Sequence, residues 1–418
     1  MKKVLLMAMM ASALFACNKQ EITDKTERSG DNVLTLTVAQ ATPASTKGVS
    51  NQKGDAEYAV IASATIFFLN ASDQNIYQRD LTALEIASLA NTQSTAGGNS
   101  VVISGVPSTA TSLYCIANIH TDAAPSFPSA DGLTSTDARL RIDKLQLNSM
   151  NVPMAGKSTD PFVLTSPNKY TASVTISPLV ARLEVGQVTC ENQNGAGSPP
   201  VNADITGYKL SGVFINHVRK SVLLSGLPYA VESNLDIRTQ PGWSTGWANY
   251  FTALNTVFPY YSGGSPDAPA DWTANSMLTY CTPTGAVALS FYPTTPEGST
   301  STNPTLPTKQ VWGYQVVPSA AYVAGSAADV PHLILKLTEV AYHNNILAQT
   351  TKYVTVTKYK NTNGDAVNQF VRGNVYRISN LVFTHNEAAN QPYETNLTIT
   401  ATVSVIPWVI NNITPDWR

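Results

Sequence analysis

The sequence predicts an all-β protein of the sandwich class, and three observations carry that reading. Charged residues make up only 13% of the chain, about half the ~25% of an average soluble domain, and Thr, Ser and Asn take their place. The 25 prolines and 24 glycines are spread along all 418 residues and cut the chain into short pieces. Between them run short apolar alternations, the pattern of half-buried strands. A chain of this length can bury two sizeable cores. Its formal net charge of −2 offers no basic footprint, which excludes a nucleic-acid partner.

The N-terminus, MKKVLLMAMMASALFAC, has Lys2 and Lys3 followed by an apolar run from Val4 to Phe15. That run is too short to span a membrane and has the form of a signal peptide. Leu14 and Ala16 precede Cys17 in the manner of a lipobox. Residues 1–16 are therefore read as the signal and Cys17 as the lipidated first residue of the exported chain. The competing reading is an ordinary secretory signal with an incidental cysteine. A multiply acylated cysteine anchors stably where a single chain does not.

Residues 18–32 are polar and aperiodic and read as a tether. NVLTLTVAQ then gives a first strand with Leu34, Leu36 and Val38 on one face. ATPASTKGVSNQKGDAEY follows, a loop with no apolar anchor before Tyr58, and inside it Lys47 and Lys53 each precede a glycine. Loops of small polar residues are favoured sites of nicking.

From Val60 the core elements follow in order. VIASATIFFLN reads as a central strand and RDLTALEIASLANTQ as a short covering helix. SVVISGVPSTATSLYCIANI reads as two strands about a Gly-Val-Pro turn. YTASVTISPLVARLEVGQVTC carries the chain from a first domain into a second near residue 178. GYKLSGVFINHV, HLILKLTEVAY and TKYVTVTKYK are strands of the second domain, the last leading into an Asn363–Gly364 turn, and NVYRISNLVF follows.

The terminal segment YETNLTITATVSVIPWVINN has the cleanest period-two pattern in the chain. Leu397, Ile399, Ala401, Val403 and Val405 face one way, and threonines and a serine face the other. Pro407, which lacks a ladder N–H, is a natural break before Trp408 and Ile410.

Little in the sequence suggests chemistry. Besides Cys17, only Cys115, Cys190 and Cys281 remain, enough for one bridge at most and without a CxxC zinc pattern. Buried free thiols are the simpler reading. GWSTG, Gly242 to Gly246, matches the nucleophile-elbow pattern, but the polar, proline-ended NLDIRTQP precedes it where a strand is needed. His120, His217, His332, His343 and His385 show no paired spacing, and Asp131, Asp137 and Asp143 are too far apart for an EF-hand loop. No enzyme, metal or cofactor is expected. Between Trp243 and Trp272 lie Trp247, Tyr250, Phe251, Phe258, Tyr260 and Tyr261. They form either a stacking platform for a sugar or partner, or the packing of a long insertion.

Several segments in order resemble the Bacteroidetes-type fimbrillins, the subunits of type V pili. YCIANI (Tyr114–Ile119), VPMAGK (Val152–Lys157), SPLVARLEV (Ser177–Val185), FVRGNVYRISNL (Phe370–Leu381) and the ending LTITATVSVIPWVINNITPDW are similar to segments of that family. The resemblance implies two transthyretin-like Greek-key β-sandwich domains in tandem with minor short helices, at residues 48–178 and 179–418. It implies residues 17–47 as a lipidated propeptide carrying the removable first strand, cut by a trypsin-like protease. The vacated groove would be filled by the terminal strand of a neighbouring subunit, with cleavage after Lys47 or, failing that, Lys53. Lysine stands here where the family offers arginine. Implied partners are other copies of the chain, accessory fimbrial subunits, outer-membrane lipid through Cys17, and host or glycan ligands, with the protein on the outer surface and then in the fimbrium. Within the family, a tip or anchor subunit is the alternative to the stalk; outside it, a surface glycan-binding lipoprotein. The strand from Val60 to Leu69 is expected to line the groove.

Overall fold

The computed structural model describes residues 32–40, 61–90, 100–118, 139–141, 152–158, 161–185, 188–194, 201–219, 221–224, 236–239, 243–246, 248, 278–280, 289–291, 312–394 and 398–407. Strands dominate, so the all-β expectation holds. The first half contains β1 (Asn32–Gln40), β2 (Ala64–Leu69), β3 (Asn75–Asp80), helix α1 (Ala83–Ala90), β4 (Ser100–Val106), β5 (Ser112–Ala117), β6 (Arg139–Arg141), β7 (Met154–Lys157), β8 (Val163–Ser166) and β9 (Lys169–Pro178). All of these strands except β6 join one eight-stranded sheet in the order β3-β2-β5-β7-β9-β1-β4, with β8 also on β9.

The helix begins where its side chains cap it. The Glu85 carboxylate accepts from the Thr82 backbone N–H at 2.8 Å and hydroxyl at 2.9 Å, and Arg79 pairs with it at 2.6 Å. Gly105 has φ +74° and is the extra residue of a bulge, because Asn32 pairs with Val106 while Val33 pairs with Ser104. The chain turns after it, at Pro107–Ala110. The strands on either side of this turn do not pair with each other: β4 goes to β1, and β5 goes to β2 and β7. The two strands read from the sequence are present, and the turn between them connects two separate parts of the sheet.

The second half contains β10 (Ala181–Val185), β11 (Val188–Cys190), β12 (Ile205–Asn216), β13 (Ser221–Leu223), the single-turn α2 (Trp243–Gly246), β14 (Leu278–Tyr280), β15 (Leu289–Phe291), β16 (Trp312–Val316), β17 (His332–Tyr342), β18 (Asn345–Lys360), β19 (Ala366–Val367), β20 (Asn374–Ile378), β21 (Leu381–Phe383), β22 (Thr398–Thr402) and β23 (Ser404–Pro407). They form sheets in the orders β16-β10-β20-β23, β15-β11-β21 and β14-β12-β17-β18-β19, with β22 also on β18. A two-stranded pairing of β6 with β13, and a hydrogen bond from the Tyr114 hydroxyl to the Leu224 carbonyl at 2.8 Å, tie the halves together. Asn363–Gly364 makes the turn from β18 to β19, with Gly364 at φ +93°.

Candidate functional site: the seat of the first strand and the terminal segment

The residues of β1 alternate as their sequence requires. Leu34 and Leu36 are fully buried and Val38 nearly so, while Thr35 and Thr37 are half-buried on the other face. β1 lies inside the sheet: it runs antiparallel to β4, setting Leu34 opposite Ile103 and Leu36 opposite Val101. On its other side it runs parallel to β9, setting Leu34 opposite Tyr170, Leu36 opposite Ala172 and Val38 opposite Val174. The flanking strands are therefore β4 and β9, not the Val60–Leu69 segment expected from sequence. β2 pairs with β3 and β5 instead. Its unbroken apolar run marks it as buried but cannot name its neighbours, which is why alternation misplaced it.

Among the described residues, β1 is the only strand paired with β4. A strand with no other ladder partner depends on β1 for its backbone hydrogen bonds. The second half repeats the arrangement without a sequence repeat. There β10 lies between β16, antiparallel, and β20, parallel, and all five of its residues are buried. β10 is continuous with β9 through Leu179 and Val180.

Two family-like segments meet at β10. Glu184 is fully buried and pairs with Arg182 at 2.7 Å and with Arg377 at 2.6 Å. Burial pushes the Glu184 carboxyl up, but the Arg377 and Arg182 guanidiniums outweigh it and hold it below the usual carboxylate range. In YCIANI, Asn118 has φ +60°; its side-chain oxygen accepts from the Ala62 N–H at 2.7 Å and its amide donates to the Val152 carbonyl at 2.9 Å. In VPMAGK, a Cβ on Gly156 would stand 1.9 Å from the Thr175 carbonyl oxygen, so β7 and β9 approach there as only glycine allows.

The terminal segment forms two strands in its own half of the protein. β22 runs parallel to β18 and places Ala401 beside Tyr359; β23 runs antiparallel to β20 and places Val405 beside Tyr376. Ala401 and Val403 are buried, and Thr400 and Thr402 are exposed. The break falls at Val403, whose N–H donates to the Lys360 carbonyl at 2.8 Å, and Pro407 ends the second strand opposite Asn374. The backbone of Ile399 lies in β22. Cys17, Lys47, Lys53, Leu397, Trp408 and Ile410 fall outside the described residues, as do Cys281 and most of the aromatics between Trp243 and Trp272.

The chemical candidates remain apart. Cys115 and Cys190 are free and buried, and burial pushes the Cys115 thiol up to about 12, which makes it unreactive at neutral pH. Ser244 is exposed on α2, and the described element before it is a 3-10 turn, Ile237–Thr239, rather than a strand. Among the described residues no cluster suits a metal ion.

Sequence spacing gave no hint of one polar cluster. His217, at the end of β12, stacks on His332, at the start of β17, with ring centres 4.5 Å apart and planes 9° from parallel. His332 Nδ1 lies 3.0 Å from the Tyr393 hydroxyl, which also accepts from the Asn216 amide. Asp236 is bound by Arg238, and Arg238 also lies over the Tyr393 ring at 4.4 Å. Burial pushes the Asp236 carboxyl up, and hydrogen bonds from Arg238 and His217 bring it well below its usual range.

No protein-family profile matches the chain, and no curated protein matches it. Among solved structures it is similar to a fimbrilin, FimA, from Porphyromonas gingivalis, at 15% identity, TM-score 0.44, with 91% of this chain and 98% of that one covered. Fimbrilins are among its structural neighbours. A candidate cell adhesion protein from Bacteroides eggerthii gives 14% identity and TM-score 0.44 over 91% and 97% of the two chains. One from Parabacteroides distasonis gives 14% and 0.45 over 91% and 98%. At these identities and scores the likeness carries no functional conclusion.

Proposed function

We propose that the chain is a structural subunit of a surface pilus, lipidated at Cys17, cut after Lys47 with Lys53 as the fallback, and polymerised by donor-strand exchange. Its two sandwich domains divide near residue 178. The observation that carries the reading is the position of β1. It is an N-terminal strand seated inside a sheet, with three buried apolar side chains and two strand neighbours. Cutting the loop behind it detaches an internal strand without breaking the chain anywhere else in the fold. The vacancy would expose an apolar groove and the backbone edges of β4 and β9, both costly in water. An extended strand from another copy relieves both by strand addition. It must run antiparallel to β4 and in the one register that turns its apolar face inward, because a slip by one residue reverses the faces.

The test uses paired cysteines. One cysteine goes on β4 or β9, at Val102 or Ser173, and its partner in the terminal segment at Val405 or Ile410. Protein cleaved at Lys47 should form disulfide ladders of separate chains. Bridges confined to single chains in cleaved protein would sink the donor-strand reading.

A further inference from the structure

We propose that the seat of β1 has one fixed wall and one hinged wall: β9 stays in place when β1 leaves, while β4, with the end of α1 against it, loosens as a flap and closes again on the strand that takes the seat. That β1 leaves by cleavage, and which strand replaces it, rest on the donor-strand reading; the hinged wall does not.

The two walls are held differently. On the side away from β1, β9 is paired along its length: Lys169, Tyr170 and Thr171 with β8, Val174 with Ser158, and Ser177 and Pro178 with β7. β7 is paired in turn with β5, and β5 with β2. Withdrawing β1 leaves these pairings standing. β4 is different. Its described ladder consists of six pairs, all to β1, from Asn32–Val106 to Thr37–Ser100. Withdrawing β1 removes all six at once, and the buried Ile103 and Val101 lose the Leu34 and Leu36 opposite them.

The chain is built to turn after β4. Gly105, at φ +74°, makes the bulge, and the Pro107–Ala110 turn follows. The Thr111 N–H then donates to the Leu69 carbonyl at 2.8 Å, which fixes what comes next to β2. A few residues at the end of an element can absorb the rotation of a hinge. α1 lies against β4 and is anchored at its start, where the Leu81 N–H donates to the Ala64 carbonyl at 2.9 Å and Glu85 pairs with Arg79 of β3. Past that turn it is held by the buried Leu89 and the half-buried Ile86. The end of the helix therefore moves with β4 while its start stays. An incoming strand meets β9 as a standing edge and β4 as a loose one. It pairs with β9 first, parallel as β1 does, and β4 closes along its other side.

Native-state amide hydrogen exchange on the uncleaved full chain reads the hinge with no cleavage and no donor. In low denaturant the amides that pair β1 with β4 should open together, in a step below global unfolding, while β2, β5 and β7 keep their protection. Leu36→Ala should speed exchange in both strands by the same factor, about 30-fold or more. β4 amides that stay protected while β1 exchanges, or β2, β5 and β7 opening along with the pair, overturn the proposal. A second measurement uses the full chain cut behind β1 and stripped of the cut strand, with a synthetic Asn32–Gln40 peptide as the probe. The same β4 amides should be unprotected without the peptide and protected with it. Peptide bound while β4 stays unprotected overturns the closing step. Closure on this peptide with no seating of a neighbour's terminal segment removes the donor reading alone; a terminal segment that seats in a groove whose β4 never loosens removes the hinged wall alone.

Discussion

Replacing Leu36 with alanine tests how much of the first sheet depends on one strand. Leu36 is fully buried between Val101 of β4 and Ala172 of β9. Its truncation leaves a cavity at the centre of an internal strand, worth about 2–5 kcal/mol by comparison with other core leucines. Leu34, Leu36 and Val38 together bury side chains worth roughly 5–9 kcal/mol gross. That sum is comparable with the total stability of a typical domain, about 5–15 kcal/mol. Denaturant unfolding of the uncleaved chain should show the loss for Leu36→Ala and less than about 1 kcal/mol for Thr35→Ala on the outer face. After cleavage behind β1, the same loss should lower occupancy of the seat by about 30-fold or more. Retention of the cut strand on size-exclusion chromatography, quantified by mass spectrometry, measures that occupancy. If Leu36→Ala and Thr35→Ala were indistinguishable in both assays, the buried face of β1 would not be what holds it, and the donor argument would lose its energetic basis.

Four further outcomes are expected. Cys17→Ala should abolish incorporation of labelled fatty acid and surface display, and equal labelling of variant and wild type would exclude lipidation at that residue. Mass measurement of the mature surface protein should place its N-terminus at Gly48, or at Gly54 if the cut follows Lys53; a terminus at Ser29 or earlier leaves β1 attached and rules out strand removal as the trigger. Glu184→Gln should cost about 3–5 kcal/mol in denaturant unfolding, because it leaves Arg182 and Arg377 facing each other without a buried counter-charge, and a loss below about 1 kcal/mol would mean the pair is solvated. Val403→Asp places a carboxylate at a fully buried position and should destabilise the uncleaved monomer by several kcal/mol; blocked assembly with unchanged monomer stability would instead show that Val403 matters only between molecules.

Alternation along the chain made β1, β2, β12, β17 and β18 legible, because each buries one face or both and the period is local. Partner choice was not legible. Nothing in NVLTLTVAQ or KYTASVTISP announces that β1 and β9 run parallel, since parallel pairing is a property of two segments far apart in sequence. The same limit applies to NVYRISNLVF, a single run in sequence. It divides into β20 on β10 and β21 on β11, in step with the break between those two neighbours. Pro407 was the visible punctuation in the terminal segment, yet the change of partner comes at Val403, where the chain passes from β18 to β20. The histidine cluster left no signal, because His217 and His332 come from opposite ends of a long chain excursion and meet only where β12 and β17 pair.

The two strands at the end of the chain also bear on which part of it can be given away. Withdrawing Thr398–Pro407 would strip β22 from β18 and β23 from β20 and uncover Ala401 and Val403. For the two side chains alone this costs about 2–4 kcal/mol, before any backbone hydrogen bond is counted. Pro407 contributes no N–H to a ladder and makes a natural break in the segment. We propose that the segment that begins at Trp408 and includes Ile410 is the part lent, and that Thr398–Pro407 stays at home. The cysteine pairs distinguish the two lengths. On this reasoning Ile410 should cross-link neighbouring chains and Val405 should not. Equal ladders from Val405 would mean that the home pairing of β23 is too weak to compete with a neighbour's groove, and the partition at Pro407 would fall.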